Sequence, residues 1–213
     1  GLVGSEMCIR DSCRNDGKVF YKNALPNEIP QMSVGLLLDE SGSMCSCDRC
    51  TYARSSAIIL YDFCKALHIP VTVYGHSTSG SSVDLYSYAE FESIDNDDKY
   101  RMMDIAARGS NRDGAALRFV AEQLVKRPEE VKILILVSDG QPAAPGYYGS
   151  AAEEDLRGIR QEYRRKGVLF IAAAIGEDKQ NIERIYGDSF MDITDLNQLP
   201  VKLTAAVKRH MRV

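Results

Sequence analysis

An acidic side chain followed by two hydroxyls marks the part of this sequence that could do chemistry. Residues 33–38 form a short apolar run, which is typical of a buried parallel strand, and Asp39, Ser41 and Ser43 follow at alternate positions. Ligands of open α/β sheets bind beyond the carboxyl ends of the strands. One carboxylate and two hydroxyls are hard oxygen ligands of the kind that Mg²⁺ accepts. The pattern therefore predicts a divalent-metal site at the end of this strand.

A second apolar strand in the sequence ends in the same way. Residues 131–138 are mostly apolar and are followed by Asp139 and Gly140. If the two strands are neighbours in the sheet, Asp39 and Asp139 meet at one crevice. The plainer interpretation of Asp139 and Gly140 is a turn at the end of a strand.

The D-x-S-x-S pattern resembles the metal-ion-dependent adhesion site (MIDAS) of von Willebrand factor A (VWA) domains. In that family two serine hydroxyls, a threonine on a second loop and aspartates, often acting through water, hold the metal. The resemblance implies Mg²⁺ or Mn²⁺ as the cofactor. It implies the following ligands: Asp39, Ser41, Ser43 and Asp139. The alternative is a remnant of the motif that binds no metal.

Residues 108–117 resemble the second loop of the family with one departure, since Asn111 stands where threonine is expected. The amide oxygen of Asn111 can bind a metal, but the Asp113 carboxylate could do so instead, and we expect Asp113 ahead of Asn111. Asp113 could also cap the helix that follows it. His76, after the second predicted strand, could line the same cleft, or it could be a loop residue with a satisfied hydrogen bond.

Three cysteines directly follow the motif, at positions 45, 47 and 50. A zinc site needs four ligands, and Cys64 lies too far along the next helix to join them. Only Cys13, His76 or a partner could complete a zinc site. The other interpretation, which we favour, is a set of loop thiols near the amino terminus of a helix.

Several further segments narrow the resemblance within the VWA family. They resemble the carboxy-terminal domain of the cobaltochelatase CobT subunit and nitric oxide reductase activation proteins of the NorD type. The matching segments are 38–44, 74–77, 111–114 and 136–142. The resemblance implies a module that binds a client protein through its metal, beside an AAA+ ATPase of the MoxR or CobS class. The alternative is a subunit that takes direct part in inserting cobalt or magnesium into a tetrapyrrole.

Alternating strands and helices must position these residues, and this alternation predicts a doubly wound, mostly parallel, six-stranded sheet with helices on both faces and one antiparallel edge strand. Strands are predicted at about 33–38, 71–75, 83–91, 131–138, 168–175 and 190–193. Helices are predicted at about 51–67, 97–106, 113–126, 151–166, 179–186 and 195–210. We expect loops at 77–82 and 141–150.

Composition excludes several classes of function. The 213 residues carry a net charge of −4, which does not favour nucleic-acid binding, and no apolar stretch is long enough to span a membrane. We find no phosphate-binding loop, dinucleotide fingerprint or catalytic triad, so we expect no catalysis by this chain alone. The absence of a signal peptide predicts a cytoplasmic protein with reduced thiols.

The ends of the globular region are also predicted. Residues 1–12 resemble the translated read-through of a sequencing adapter, so we expect them to be non-native or disordered. Residues 13–32 are predicted to be a polar lead-in segment, and residues 33–213 a single VWA-like domain.

Overall fold

The computed structural model describes residues 7–9, 20–22, 31–92, 95–140, 142–175, 179–192, 201–202 and 205. The chain divides into two compact units, residues 1–30 and residues 31–213. In the first unit, strand β1 (Met7–Ile9) pairs antiparallel with β2 (Phe20–Lys22). The non-native origin of residues 1–12 stays a prediction.

The second unit alternates strands and helices, as the sequence predicts. Its strands are β3 (Met32–Asp39), β4 (Val71–Ser79), β5 (Ser82–Ala89), β6 (Val131–Ser138), β7 (Ala143–Ala144), β8 (Tyr147–Tyr148), β9 (Val168–Ala174) and β10 (Phe190–Asp192). Its helices are α1 (Arg49–Ala66), α2 (Asp98–Met102), α3 (Asp113–Val125), α4 (Gly149–Arg165) and α5 (Lys179–Tyr186), with 3₁₀ turns at Gly42–Cys45 and Gly187–Ser189. The helix predicted at 195–210 lies largely outside the described residues.

Six strands form one sheet in the order β10-β9-β6-β3-β4-β5. All neighbours are parallel except β4 and β5, which confirms the predicted sheet and its antiparallel edge strand. Strands β3 and β6 are central neighbours, and Leu38 pairs with Val137. Asp39 and Asp139 therefore leave the sheet side by side at its carboxyl edge.

Each face of the sheet buries its own apolar core, because successive strand residues point to opposite faces. On one face, Leu36 and Leu38 of β3 belong to the same buried cluster as Leu60 of α1. On the other face, Leu37 of β3 clusters with Leu117 of α3 and with residues of α4 and α5. The two cores hold the central strands rigidly and so fix the positions where their polar ends emerge.

Two predicted loops contain strands. Residues 77–79 continue β4, because they pair with β5 as far as Ser79 opposite Ser82, and Gly80 closes the turn with φ +63°. The predicted loop at 77–82 is therefore wrong over its first half. The predicted 141–150 loop contains the short β7–β8 hairpin. The helix predicted at about 51–67 ends at Ala66, and Leu67 just beyond it is 53% exposed.

Among the described residues, we find no helix long and apolar enough to cross a membrane.

Candidate functional site

Asp39 occupies the centre of the carboxyl edge and is buried. Its Oδ1 accepts a hydrogen bond from the backbone N–H of Ser41 at 2.8 Å. Its Oδ2 accepts from Asn111 Nδ2 and from Ser138 Oγ, both at 2.8 Å. All three donors are neutral, so the carboxylate is oriented without being neutralised.

The two serines of the motif connect Asp39's loop to Asp139. The hydroxyls of Ser41 and Ser43 lie 2.9 Å apart, and Ser43 Oγ donates to Asp139 Oδ1 at 3.0 Å. Ser41 is buried, whereas Ser43 is exposed, so the accessible side of the cluster is at Ser43. Arg49 at the start of α1 donates to the other oxygen of Asp139 at 2.6 Å. The structure thus brings the predicted residues of the first and third loops together.

The second loop is fastened to the sheet by backbone hydrogen bonds. The N–H of Arg108 donates to the Glu40 carbonyl at 2.7 Å, and the N–H of Gly42 donates to the Gly109 carbonyl at 2.7 Å. Thr78 and Ser110 exchange two further bonds, at 2.8 and 3.0 Å. These bonds hold Asn111 against Asp39, which makes the polar end of β4 part of the site.

Asp113 and His76 form a second buried pair beside the first cluster. Asp113 is the first residue of α3 and not its cap, since Arg112 occupies the cap position. Asp113 Oδ1 lies 3.1 Å from His76 Nε2, although the two groups are not aligned as a hydrogen bond. His76 is fully buried on β4 opposite Asp39, so the sequence interpretation of a loop histidine is wrong. Whether Asp113 or Asn111 would bind a metal stays a prediction.

Burial and like charge act together on the carboxylates. Burial raises the pKa of Asp39, and the nearby Asp113 carboxylate raises it further. Burial also raises the pKa of Asp139, with a contribution from Asp39, against the opposing effect of Arg49. Burial alone would lower the pKa of His76, but the neighbouring carboxylates, Asp113 first and then Asp39 and Glu40, together raise it. The site therefore carries an excess of acidic groups that an added cation would relieve.

Glu40, the residue between Asp39 and Ser41, accepts a hydrogen bond from a charged side chain, unlike Asp39. Its Oε1 accepts from Tyr88 Oη at 2.5 Å and its Oε2 from Arg108 Nε at 2.7 Å. Gly75 makes room for it: a Cβ on Gly75 would lie 1.8 Å from Glu40 Oε1. Burial, followed by the bond to Glu40, raises the pKa of Tyr88. Glu40 thus links β3 to the second loop through a paired charge.

The donor set of the cluster fits a hard divalent cation. Its donors are oxygens, and two buried ones, Asn111 Oδ1 and Asp113 Oδ1, lack a hydrogen-bond donor among the described residues. Across the described part of the chain, no three His, Cys, Asp or Glu side chains are grouped so that they could hold a metal ion. A metal here would therefore need the serine hydroxyls, and Cys45, Cys47 and Cys50 do not by themselves form a zinc site.

The sequence analysis missed four contributors: Ser138, Arg49, Glu40 and Arg108. The sequence offered a signal for Ser138, since this polar residue ends the apolar strand directly before Asp139. Glu40 also had one, because Gly75 inside a strand indicates close approach of another group. The sequence offered no signal for Arg49, because the direction of its side chain depends on the conformation of the preceding turn.

The chain resembles several known proteins. Residues 97–211, just over half of the chain, match the family described as "Cobalamin biosynthesis protein CobT VWA domain". The uncharacterized protein YojO of Bacillus subtilis is 25% identical over 206 residues, which are 90% of this chain and 32% of YojO. Protein NorD of Brucella suis biovar 1 is 34% identical over 97 residues, which are 44% of this chain and 15% of NorD. The chain thus spans a third or less of these relatives.

The fold is similar to solved VWA structures. A von Willebrand factor type A protein from Catenulispora acidiphila superposes with a TM-score of 0.56 at 19% identity, covering 84% of this chain and 41% of that one. At this identity the likeness shows the fold alone. The fold and the match over residues 97–211 agree, and the chain belongs to the CobT VWA-domain family.

Proposed function

We propose that this chain is a MIDAS-type, metal-dependent protein-binding module that works with an AAA+ ATPase of the MoxR or CobS class. The observation that carries the proposal is the convergence of oxygen ligands at the ends of β3 and β6. The candidate ligands there are Asp39, Ser41, Ser43 and Asp139, with Asp113 or Asn111 of the second loop beside them. The family relationship supports a role in cobalt chelation or in activation of a metalloenzyme.

The charges of the cluster favour a divalent cation. Burial raises the pKa of both Asp39 and Asp139, the Asp113 carboxylate adds to the effect on Asp39, and Asp39 adds to the effect on Asp139, against the opposing charge of Arg49. Mg²⁺ or Mn²⁺, when bound, would offer an open coordination position to a carboxylate of another protein. The chain's own residues would orient that cation: Asp39 from the buried side, and the hydroxyls of Ser41 and Ser43 from the first loop.

The exposed side of the cluster suits a protein partner. Ser43 is exposed while Asp39 is buried, so a carboxylate from a client can approach from Ser43 without disturbing the core. The sequence has no phosphate-binding loop, so ATP hydrolysis would be the task of a separate subunit. We therefore propose that this chain recognises the client and is not itself a catalyst.

Mg²⁺ calorimetry of the wild type and of the Ser41→Ala/Ser43→Ala variant tests the metal site. We expect a weak wild-type isotherm, and its loss in the double variant with little change in melting temperature. Ser46→Ala, an exposed serine in the same loop, is the matched control and should bind Mg²⁺ normally. Equal binding by the double variant and the wild type would refute the assignment.

A pull-down from the source cell of an AAA+ ATPase of the MoxR or CobS class and its client, with and without chelator, tests the docking role. We expect recovery only with divalent metal. The double serine variant should behave like the wild type in chelator. Equal recovery under all conditions would show that the partner binds another surface.

The second candidate is a subunit that takes direct part in tetrapyrrole metal insertion, and the family description in terms of cobalamin biosynthesis favours it. Cobalt insertion by the reconstituted chelatase distinguishes the two functions. A direct role predicts loss of insertion in the serine variant even when the complex still assembles. A docking role predicts that assembly and insertion are lost together.

A further inference from the structure

Arg49 lies where the electrostatics of its own helix disfavour a cation. It is the first residue of α1, whose first turn contains no acidic residue, and the positive end of the helix dipole lies at this terminus. Cys47 and Asp48, directly before it, have left-handed φ angles of 54° and 56°, which residues other than glycine seldom adopt. Neither the helix nor the turn favours this placement, so it indicates a contact that holds Arg49 there.

The contact that holds Arg49 is an ion pair with Asp139. Arg49 Nη1 donates to Asp139 Oδ2 at 2.6 Å, and Ser43 Oγ donates to the other carboxylate oxygen at 3.0 Å. The Arg49 side chain is 15% exposed and that of Asp139 is 4% exposed, so solvent ions screen the pair only in part. Arg49 therefore balances the charge of the third-loop carboxylate before any metal binds.

This ion pair changes the charge that a metal-loaded site would have. Asp39 and Asp139 supply two negative charges at the ends of β3 and β6, and Arg49 supplies one positive charge. A divalent cation added to these three groups leaves an excess of one positive charge, whereas without Arg49 it would leave none. A carboxylate from another protein can neutralise that excess.

Arg49 also has donors left for a second acid. Its described bond to Asp139 uses Nη1, and its Nε has no acceptor among the described residues. An arginine carries five N–H donors in a planar fork that matches the geometry of carboxylates. Because Ser43 is exposed and shares Asp139 with Arg49, a carboxylate that approaches Ser43 comes close to the guanidinium.

We propose that Arg49 makes this site selective for an incoming carboxylate, an inference that rests on the proposed function. Its guanidinium competes with a divalent cation for Asp139 and so weakens the binding of the cation alone. When the cation is bound, the same positive charge attracts the carboxylate of a partner protein. Arg49 is thus a specificity-determining residue that couples metal binding to partner binding.

The first experiment measures Mg²⁺ affinity by calorimetry in the wild type, Arg49→Gln and Arg49→Lys. Loss of the charge should tighten Mg²⁺ binding at least about tenfold, because a unit charge a few ångströms away changes binding on that scale. Arg49→Lys keeps the charge and should bind like the wild type. Lys65→Gln removes the same charge about 24 Å further along α1 and is the matched control, which should also bind like the wild type.

Thermal unfolding separates this role from a merely structural one. In chelator, Arg49→Gln should melt below the wild type, because Asp139 loses its ion pair. Mg²⁺ should then raise the melting temperature of Arg49→Gln more than that of the wild type. Weaker Mg²⁺ binding in Arg49→Gln would show that Arg49 only positions Asp139, and would overturn this inference while leaving the proposed function intact. Absence of Mg²⁺ binding in every variant would overturn both.

The second experiment uses acetate as the carboxylate probe and Mn²⁺ as the metal. Mn²⁺ affinity is measured in acetate and in chloride at equal ionic strength and equal free Mn²⁺. Acetate should tighten Mn²⁺ binding by the wild type about fivefold, the lower end of typical couplings between sites, and should have a smaller effect in Arg49→Gln. Equal acetate effects in the two proteins would overturn the coupling.

Discussion

Asp39 and Glu40 are consecutive buried carboxylates, and the protein surrounds them in opposite ways. Glu40 receives the Arg108 guanidinium and the Tyr88 hydroxyl, so its charge is balanced within the chain. Asp39 receives only neutral hydrogen-bond donors and lies close to Asp113 and Asp139, and the charge of the neighbouring His76 offsets the rise in its pKa only in part. A buried charge that has its own cation stabilises structure, whereas one without a cation has a cost that a ligand can relieve.

The difference assigns separate tasks to the two residues. Glu40 connects the first and second loops whether or not a metal is bound. Asp39 carries a destabilising charge that a bound cation would relieve. Substitutions at the two positions should therefore separate stability from metal binding.

The largest expected effect is at Asp39. Asp39→Asn should remove detectable Mg²⁺ binding, because the buried ligand loses its charge while the side-chain shape remains. In the metal-free protein the same change should leave the melting temperature equal or higher, since it removes a buried charge whose hydrogen-bond donors are all neutral. Calorimetry and thermal unfolding in chelator measure both quantities.

The difference in stability between Asp39→Asn and the wild type should depend on pH in a definite direction. A carboxyl group whose pKa is raised in the folded state holds a proton that the unfolded chain releases, so stability falls as pH rises from about 4 toward the raised value. The advantage of Asp39→Asn should therefore grow from acid to neutral pH and vanish in acid. An advantage that is constant with pH would contradict this account.

Glu40→Ala should have the next largest effect, on stability. Removing a buried carboxylate leaves Arg108 without its partner, and because Arg108 is 35% exposed and can regain water, we expect a loss of about 2–3 kcal/mol in the free energy of unfolding. Urea unfolding measures it. Tyr88→Phe, which removes a single hydrogen bond to Glu40, should cost about 1 kcal/mol and serves as the matched control.

Gly75→Ala should also lower stability, because Glu40 packs directly against Gly75. The new methyl group would lie 1.8 Å from Glu40 Oε1 and 2.7 Å from its Cδ, and overpacking of this kind costs about 1–3 kcal/mol. Gly158→Ala in α4 has no atom within 4 Å of its added methyl group and should gain about 0.5–1 kcal/mol. If both variants changed stability alike, the close packing of Glu40 on β4 would be refuted.

The smallest expected effects on Mg²⁺ affinity are those of substitutions at Asn111 and Asp113, the two candidate ligands of the second loop. Asn111→Ala removes the donor that orients Asp39, so Mg²⁺ affinity should fall about tenfold. Asp113→Asn should have a smaller effect, because Asp113 lies against His76. The opposite order in titrations would identify Asp113 as the ligand, as the sequence analysis expected.

Much of the site could be predicted because its residues lie at the carboxyl ends of strands that the sequence pattern reveals. Asp39 and Asp139 each follow an apolar run, and parallel neighbours bring their carboxyl ends to one edge. Arg49 could not be predicted, because its contact depends on two left-handed residues in the preceding turn. The position of His76 was missed because β4 continues through polar residues, which alternation of apolar residues does not reveal.

The backbone attachment of the second loop has a consequence for the divergence of this family. Main-chain bonds at Arg108, Gly109 and Ser110 hold the loop to the sheet without using the side chain of residue 111. The residue at position 111 can therefore be exchanged while its place beside Asp39 is kept. An asparagine where the resemblance expects threonine changes the donor atoms beside Asp39 while the loop keeps its path, and one codon change is enough to make that exchange.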